Sequence, residues 1–142
     1  MLNANEIKFR ASGIGYLMTE PRSKSETLSE TTKSHLVDVY VSEKYGRKKE
    51  ISNRYIEKGL AVEDDSITLL SRHTKKFHKK NDIRLFNEFI QGEPDLFDGE
   101  SIEKAELIID IKSSWDIFTF FFIFKDHINK MYWWQLQSYM WL

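Results

Sequence analysis

Residues 107–112 place a charge inside an otherwise apolar strand. Asp110 interrupts a run of isoleucines that predicts a buried strand. Such a strand seldom carries a carboxylate without a reason, because burying an unpaired one costs several kcal/mol or changes its protonation. Side chains alternate along a strand, so Asp110 and Lys112 project from the same face. The two residues therefore form either a buried ion pair or part of a site that combines a metal ion with a nucleophile.

The composition is that of an ordinary globular protein of one domain. The chain has 142 residues and a net charge of -1, so charge alone does not indicate a nucleic-acid binder. Cysteine is absent, which excludes disulfides, thiolate zinc sites and thiol catalysis. The start, MLNANEIKFR, is too polar for a signal peptide, and the longest apolar run, residues 117–124, is far too short to span a bilayer. We therefore expect a cytoplasmic protein.

The spacing of apolar residues and the positions of capping and turn residues predict three long helices and three strands. The first helix begins after Ser29 as N-cap and ends at Gly46, and the second runs from about Ser52 to His73. The other elements are strands at residues 81–90, 93–98 and 105–113 and a last helix over residues 132–142. Residues 1–29 are predicted to be irregular, because they contain glycine and proline residues that favour turns.

The last third of the chain is rich in aromatic residues. Phe118 to Phe124 is predicted to be core, or a face covered by another subunit, rather than a base-stacking platform. The apolar pattern of the last helix continues to Leu142 without a cap. This ending indicates a truncated chain, or one that a partner completes.

Three basic groups are candidate phosphate contacts. They are Arg10 and Ser12 near the N-terminus, Arg47, Lys48 and Lys49 after the first helix, and Lys75 and Lys76 after the second. Basic loop clusters are more often simply solvated, so both interpretations stay open at each position.

Four short motifs follow one another in the second half of the chain. They are Gly59-x3-Glu63 on a helix, Pro94-Asp95 after a strand, Asp110-Ile111-Lys112 on a strand, and Gln135-x3-Tyr139 on the last helix. Glycine inside a helix costs roughly 1 kcal/mol relative to alanine, which close approach of a backbone or ligand beside Glu63 would explain. Taken singly, three of the motifs also have a structural explanation: a surface glutamate, a turn and an ion pair. Gln135-x3-Tyr139 alone is too common to indicate a function.

The order of these motifs resembles the PD-(D/E)XK nuclease superfamily, and within it the phage lambda exonuclease and RecB-like branch. The resemblance covers residues 50–142, and the segment FRASGIGYLMTEPRSK is also similar to the N-terminus of phage exonuclease-type proteins. It implies an α/β fold in which a small mixed central sheet is flanked by helices, as in restriction endonucleases. We expect residues 1–142 to form one such domain.

Phosphodiester hydrolysis accounts for these residue types. The reaction develops negative charge on the phosphoryl oxygens and on the leaving oxygen. A Mg²⁺ ion held by one or two carboxylates can stabilise that charge. Asp95 and Asp110 fit that ligand role, with Mn²⁺ as a substitute metal. The resemblance adds Glu63 as a third carboxylate and the Ile111 carbonyl as a further ligand.

The same resemblance assigns roles around the metal. Lys112 would orient or deprotonate the attacking water. Gln135 and Tyr139 would position that lysine or contact the DNA backbone, and the basic groups above would bind DNA.

We therefore predict a Mg²⁺-dependent DNA nuclease, an exonuclease more than an endonuclease, that acts in phage recombination or DNA processing. No Gly-x4-Gly-Lys-Ser/Thr motif occurs, so a nucleotide cofactor is not expected. The alternative is a weakly active or inactive nuclease-fold module that binds DNA or protein through its aromatic C-terminal third, with a second copy or a recombination protein as partner. A restriction-type endonuclease is a third interpretation, but the sequence shows no base-reading element.

Overall fold

The structure, a computed structural model, describes residues 6–47, 54–114, 116–123 and 128–142. The chain packs as two compact units. Unit 1 contains Met1–Glu50, Arg84–Gly92 and Asn129–Leu142, and unit 2 contains Ile51–Ile83 and Glu93–Ile128. The expectation of one nuclease-like domain over residues 1–142 stays a prediction.

The described residues form ten helices and strands besides short 3₁₀ turns. The helices are α1 (Ile14–Leu17), α2 (Glu30–Tyr45), α3 (Arg54–Thr74), α4 (Ile117–Ile123) and α5 (Lys130–Trp141). The strands are β1 (Phe9–Arg10), β2 (Leu85–Phe86), β3 (Ile90–Gly92), β4 (Leu96–Asp98) and β5 (Leu107–Ile109). None of the helices within the described ranges is long and apolar enough to cross a membrane.

The three long helices are confirmed, and local signals set their ends. The Ser29 side chain accepts a hydrogen bond from the Thr32 N–H at 3.0 Å, which caps α2. Gly46 closes the same helix with φ of 63°, a left-handed conformation that glycine adopts without steric cost. Helices α3 and α5 lie within about two residues of the predicted ranges.

Unit 1 holds a small mixed sheet of order β1-β3-β2. Strand β1 runs parallel to β3, and β2 runs antiparallel to it. Between β2 and β3 the chain turns at Asn87, whose side-chain oxygen accepts the N–H groups of Phe89 and Ile90, both at 2.9 Å. The prediction of one strand over residues 81–90 is therefore wrong, because this turn divides it.

The N-terminal segment of unit 1 packs against α5. A Cβ added to Gly15 would lie 2.7 Å from the Met131 sulfur, and one added to Gly92 would lie 2.7 Å from the Tyr139 ring. Only glycine permits both approaches. The prediction that residues 1–29 are irregular is wrong at β1 and α1, which form part of this packing. Residues 1–5 lie outside the described residues.

Unit 2 combines α3 and α4 with an antiparallel strand pair. In that pair Leu96 lies opposite Ile109, and Leu96, Ile102 and Ile67 are buried in the core of the unit. The predicted α/β class, with small sheets and helices, is confirmed. In the described ranges the strands belong to two sheets, one of three strands and one of two, instead of one central sheet.

Helix α4 carries the start of the phenylalanine-rich run. Its residues Ile117 and Phe118 are exposed, so the expectation that this run is core is wrong at Phe118. A face covered by another subunit stays a prediction.

Candidate active site

Strands β4 and β5 bring the two aspartate motifs together in unit 2. Asp95 directly precedes β4 and Asp110 directly follows β5, and the strands pair Leu96 with Ile109. In an antiparallel pair the start of one strand lies beside the end of the other. The Asp95 carboxylate accepts a hydrogen bond from the Ile111 N–H at 2.6 Å, which joins the two motifs directly.

Asn81 fixes the backbone that carries Asp95. Its side-chain amide donates to the carbonyls of Pro94 at 2.8 Å and Ile83 at 2.9 Å, and its oxygen accepts the Ile83 N–H at 3.0 Å. The Asn81 N–H also donates to the Asp95 carbonyl at 2.8 Å. Asn81 is only 4% exposed, and Pro94 is fully buried. Sequence reasoning missed Asn81, because nothing local separates a buried asparagine from a surface one.

Two ion pairs accompany Asp95. The Lys112 ammonium contacts the Asp110 carboxylate, and these side chains are 34% and 6% exposed respectively. The Glu63 carboxylate, mostly buried on α3, pairs with Lys80 at 3.0 Å. The sequence analysis gave Lys80 no role, because its pairing with Glu63 joins two separate segments of the chain.

The Asp95 carboxyl lies among charged groups of both signs. Burial raises the pKa of the Asp95 carboxyl above its usual value, and the carboxylates of Asp110 and Glu63 raise it further. The Ile111 N–H and the Lys112 ammonium partly offset that rise of the pKa. Three carboxylates and two ammonium groups thus lie within electrostatic reach of one another, the kind of arrangement that recurs at functional sites.

Asp95→Asn is expected to stabilise the metal-free protein at neutral pH. Because the folded protein raises the pKa of Asp95 above the ordinary value of 3.8, the wild-type free energy of unfolding falls as pH rises from that value through the raised pKa. Asparagine keeps an oxygen that can accept a hydrogen bond from the Ile111 N–H, and it removes the charge. The free energy of unfolding should therefore decrease less with rising pH in the variant than in the wild type. Urea unfolding in EDTA at several pH values measures it, and a variant less stable than wild type at pH 7 would contradict the expectation.

The Gln135-x3-Tyr139 motif forms a buried pair in unit 1. On α5 the Gln135 amide donates to the Tyr139 hydroxyl at 2.8 Å, and the Tyr139 ring packs beside Gly92. The predicted shared helix face is confirmed. The roles of both residues toward Lys112 or DNA stay predictions.

A crystal structure of a phage-related exonuclease from Haemophilus somnus 129PT is similar to this chain, with a TM-score of 0.78 and 32% sequence identity. This chain shares the fold of the part of that exonuclease that it matches. The similarity covers 96% of this chain and 63% of the exonuclease. No protein-family model and no curated protein sequence matches the chain.

The exonuclease supports the predicted nuclease fold, and the PD-(D/E)XK assignment stays a prediction. This chain spans 63% of the exonuclease's length. The similarity alone therefore does not assign the activity of the whole exonuclease to this chain.

The carboxylate oxygens of the site are the kind of ligand that a hard divalent cation prefers, but their positions do not form a closed metal site. Over the described ranges, no three Asp, Glu, His or Cys side chains converge closely enough to hold a metal ion. Glu63 pairs with Lys80, and Asp110 pairs with Lys112. Mg²⁺ commonly uses only one or two protein carboxylates, so Asp95 and Asp110 suffice as oxygen donors. The predicted set of Glu63, Asp95, Asp110 and Ile111 stays a prediction.

Gly59 lies one turn before Glu63 on α3, as predicted. No atom of the described residues comes within 4 Å of a Cβ added there, so no described backbone approach accounts for the glycine. Approach of a ligand is the part of that expectation that stays a prediction.

The predicted DNA contacts occupy different places. Arg10 and Ser12 are exposed in unit 1. Arg47, also exposed, lines a cavity of about 550 Å³ with Val41 and Tyr45, and Lys48 and Lys49 lie outside the described residues. In unit 2, Lys75 is exposed with φ of 56°, and Lys76 pairs with Asp98 at 2.8 Å.

Proposed function

We propose that this chain carries the cleavage centre of a Mg²⁺-dependent deoxyribonuclease, acting as an exonuclease in phage recombination or DNA processing. The observation that supports it most is that Asp95 and Asp110 lie at the same end of the β4–β5 pair, with Lys112 paired to Asp110 and Glu63 near enough to raise the pKa of Asp95. The fold similarity to an exonuclease supports the same reaction class.

Asp95 and Asp110 would hold the metal in this proposal, with Glu63 beside them. Bound there, Mg²⁺ would neutralise charge on the phosphoryl oxygens and lower the pKa of a coordinated water. Burial of Asp110 and the hydrogen bond from the Ile111 N–H to Asp95 hold both carboxylates in fixed orientations. Fixed donors need little reorganisation during the reaction.

Lys112 would handle the proton of the attacking water. The water oxygen forms a bond to phosphorus while the bond from phosphorus to the leaving oxygen breaks. In this step the Lys112 ammonium first gives a proton to solvent, and the resulting amine takes the proton of the attacking water. The leaving oxygen takes a proton from a second water to become a hydroxyl. In the metal-free protein Lys112 contacts Asp110, which keeps it beside the carboxylates.

Asp110→Asn tests whether this cluster carries the activity. We expect the substitution to reduce Mg²⁺-dependent cleavage of linear duplex DNA by at least about a hundredfold, because it removes a charged metal ligand. Glu100→Gln is the matched control, since Glu100 lies between β4 and β5 and also pairs with a lysine, Lys104, at 3.6 Å. It should cleave as wild type. Equal cleavage by Asp110→Asn and wild type would contradict the proposal.

The second candidate is a nuclease-fold module that binds a partner through aromatic residues. Exposed Phe118 in unit 2, and Trp133 and Trp141 in unit 1, favour it. Such a module would bind DNA or associate with itself and show no Mg²⁺-dependent cleavage, so the same cleavage experiment separates the two functions.

A further inference from the structure

The segment Lys75–Lys80, here called the basic segment, leads from the end of α3 toward Asp95. Every second residue of it is held against unit 2. The Lys76 ammonium pairs with Asp98 at 2.8 Å, and the Lys80 ammonium pairs with Glu63 at 3.0 Å. Between them His78 is buried. Its backbone N–H donates to the Ser71 hydroxyl at 3.1 Å, and its ring Nε2 lies 2.9 Å from the Thr74 hydroxyl.

The residues between these anchors project away from unit 2. Phe77 is 91% exposed, and Lys79 is exposed two positions later. Burying a phenylalanine side chain ordinarily stabilises a fold, so the fold forgoes that stabilisation at Phe77. Because the residues on both sides are anchored, Phe77 is presented on an ordered segment. A mobile tail does not account for its exposure.

An aromatic ring beside ammonium groups has the chemistry of a nucleotide contact. Bases stack on aromatic side chains, while lysines pair with the phosphates that link them. Two residues of extended chain span roughly 6.6 Å, so Phe77 and Lys79 can reach the base and phosphate of neighbouring nucleotides. A single phenylalanine among lysines offers too little apolar area for a protein interface.

We propose that Phe77 stacks on an unpaired base of a single DNA strand while Lys79 contacts its phosphate. An unpaired base is required because the faces of bases inside a duplex are already stacked. The contact of Lys80 with Glu63 ties the basic segment to the candidate active site, so a strand held by Phe77 would lie beside that site. That DNA is the polymer rests on the proposed function.

The test measures the affinity of the full chain for a fluorescently labelled single-stranded oligonucleotide in EDTA, by anisotropy. Phe77→Ala should weaken binding about 5-fold to 150-fold, the range for losing one stacked base. Phe77→Tyr should bind nearly as wild type, and Phe77→Leu should lose as much as alanine, because it is apolar without an aromatic face. The salt dependence should not change in the Phe77 variants, whereas Lys79→Ala should reduce its slope by about 0.7.

Leu69→Ala is the matched control, because Leu69 on α3 is 69% exposed and lies outside the basic segment. It should bind as wild type, and circular dichroism should show all variants folded. Wild-type affinity of Phe77→Ala for the single strand would overturn the proposal, and so would an equal loss of its affinity for blunt duplex DNA. Absence of single-strand binding by the wild type, or burial of Phe77 by self-association, would overturn it as well. Because nothing is cleaved in EDTA, failure here is distinguishable from failure of the proposed nuclease activity.

Discussion

Lys112→Ala is expected to reduce DNA cleavage by about 10²- to 10⁴-fold, the usual contribution of a positioned general acid or base. The substitution removes the amine proposed to take the proton of the attacking water. It also removes an ammonium from Asp110, whose carboxylate is only 6% exposed, so stability should fall as well. Initial rates of cleavage at saturating Mg²⁺, with unfolding measured in parallel, separate the two effects.

Lys112→Arg is the control that keeps the charge. Guanidinium retains the positive charge beside Asp110 but does not lose its proton in proteins. This variant should recover most of the lost stability and little of the lost cleavage rate. Wild-type cleavage by Lys112→Arg would show that Lys112 acts only through its charge and would contradict its role with the water.

Asn81→Ala is expected to lower the free energy of unfolding by about 3 kcal/mol, since it leaves the buried Pro94 carbonyl without its partner and removes two further hydrogen bonds. The turn that positions Asp95 should loosen, so cleavage should decline even where the protein stays folded. Urea unfolding followed by circular dichroism gives the free energy.

Asn87→Ala is the comparison for that measurement. Asn87 also organises a turn through its side chain, but the N–H groups it accepts belong to an exposed or partly buried turn in unit 1. Its loss should be about 1 kcal/mol. If Asn81→Ala unfolds with the same free energy as wild type, the hydrogen bonds of Asn81 do not hold Asp95 in place.

Local signals predicted the parts of the fold that depend on few residues. Ser29 and Gly46 bound α2 because a cap and a left-handed residue act within one helical turn. The alternation of side chains likewise placed Asp110 and Lys112 on one face, and they form an ion pair.

Features that join distant segments escaped prediction. The parallel pairing of β1 with β3 connects residues about eighty positions apart, and two-residue strands leave no periodic signature. The partners of Glu63 and Pro94, which are Lys80 and Asn81, also come from a separate segment. The order of the four motifs identified the candidate site, while the groups that support it became visible only in the folded chain.

Digestion of a linear duplex labelled at one end, by the wild-type chain in Mg²⁺ and in EDTA, tests the central claim most directly. The cluster of Asp95, Asp110 and Lys112 predicts progressive loss of label or length in Mg²⁺ and none in EDTA. Absence of cleavage in both conditions by folded protein, or equal cleavage in both, would contradict a metal-dependent nuclease.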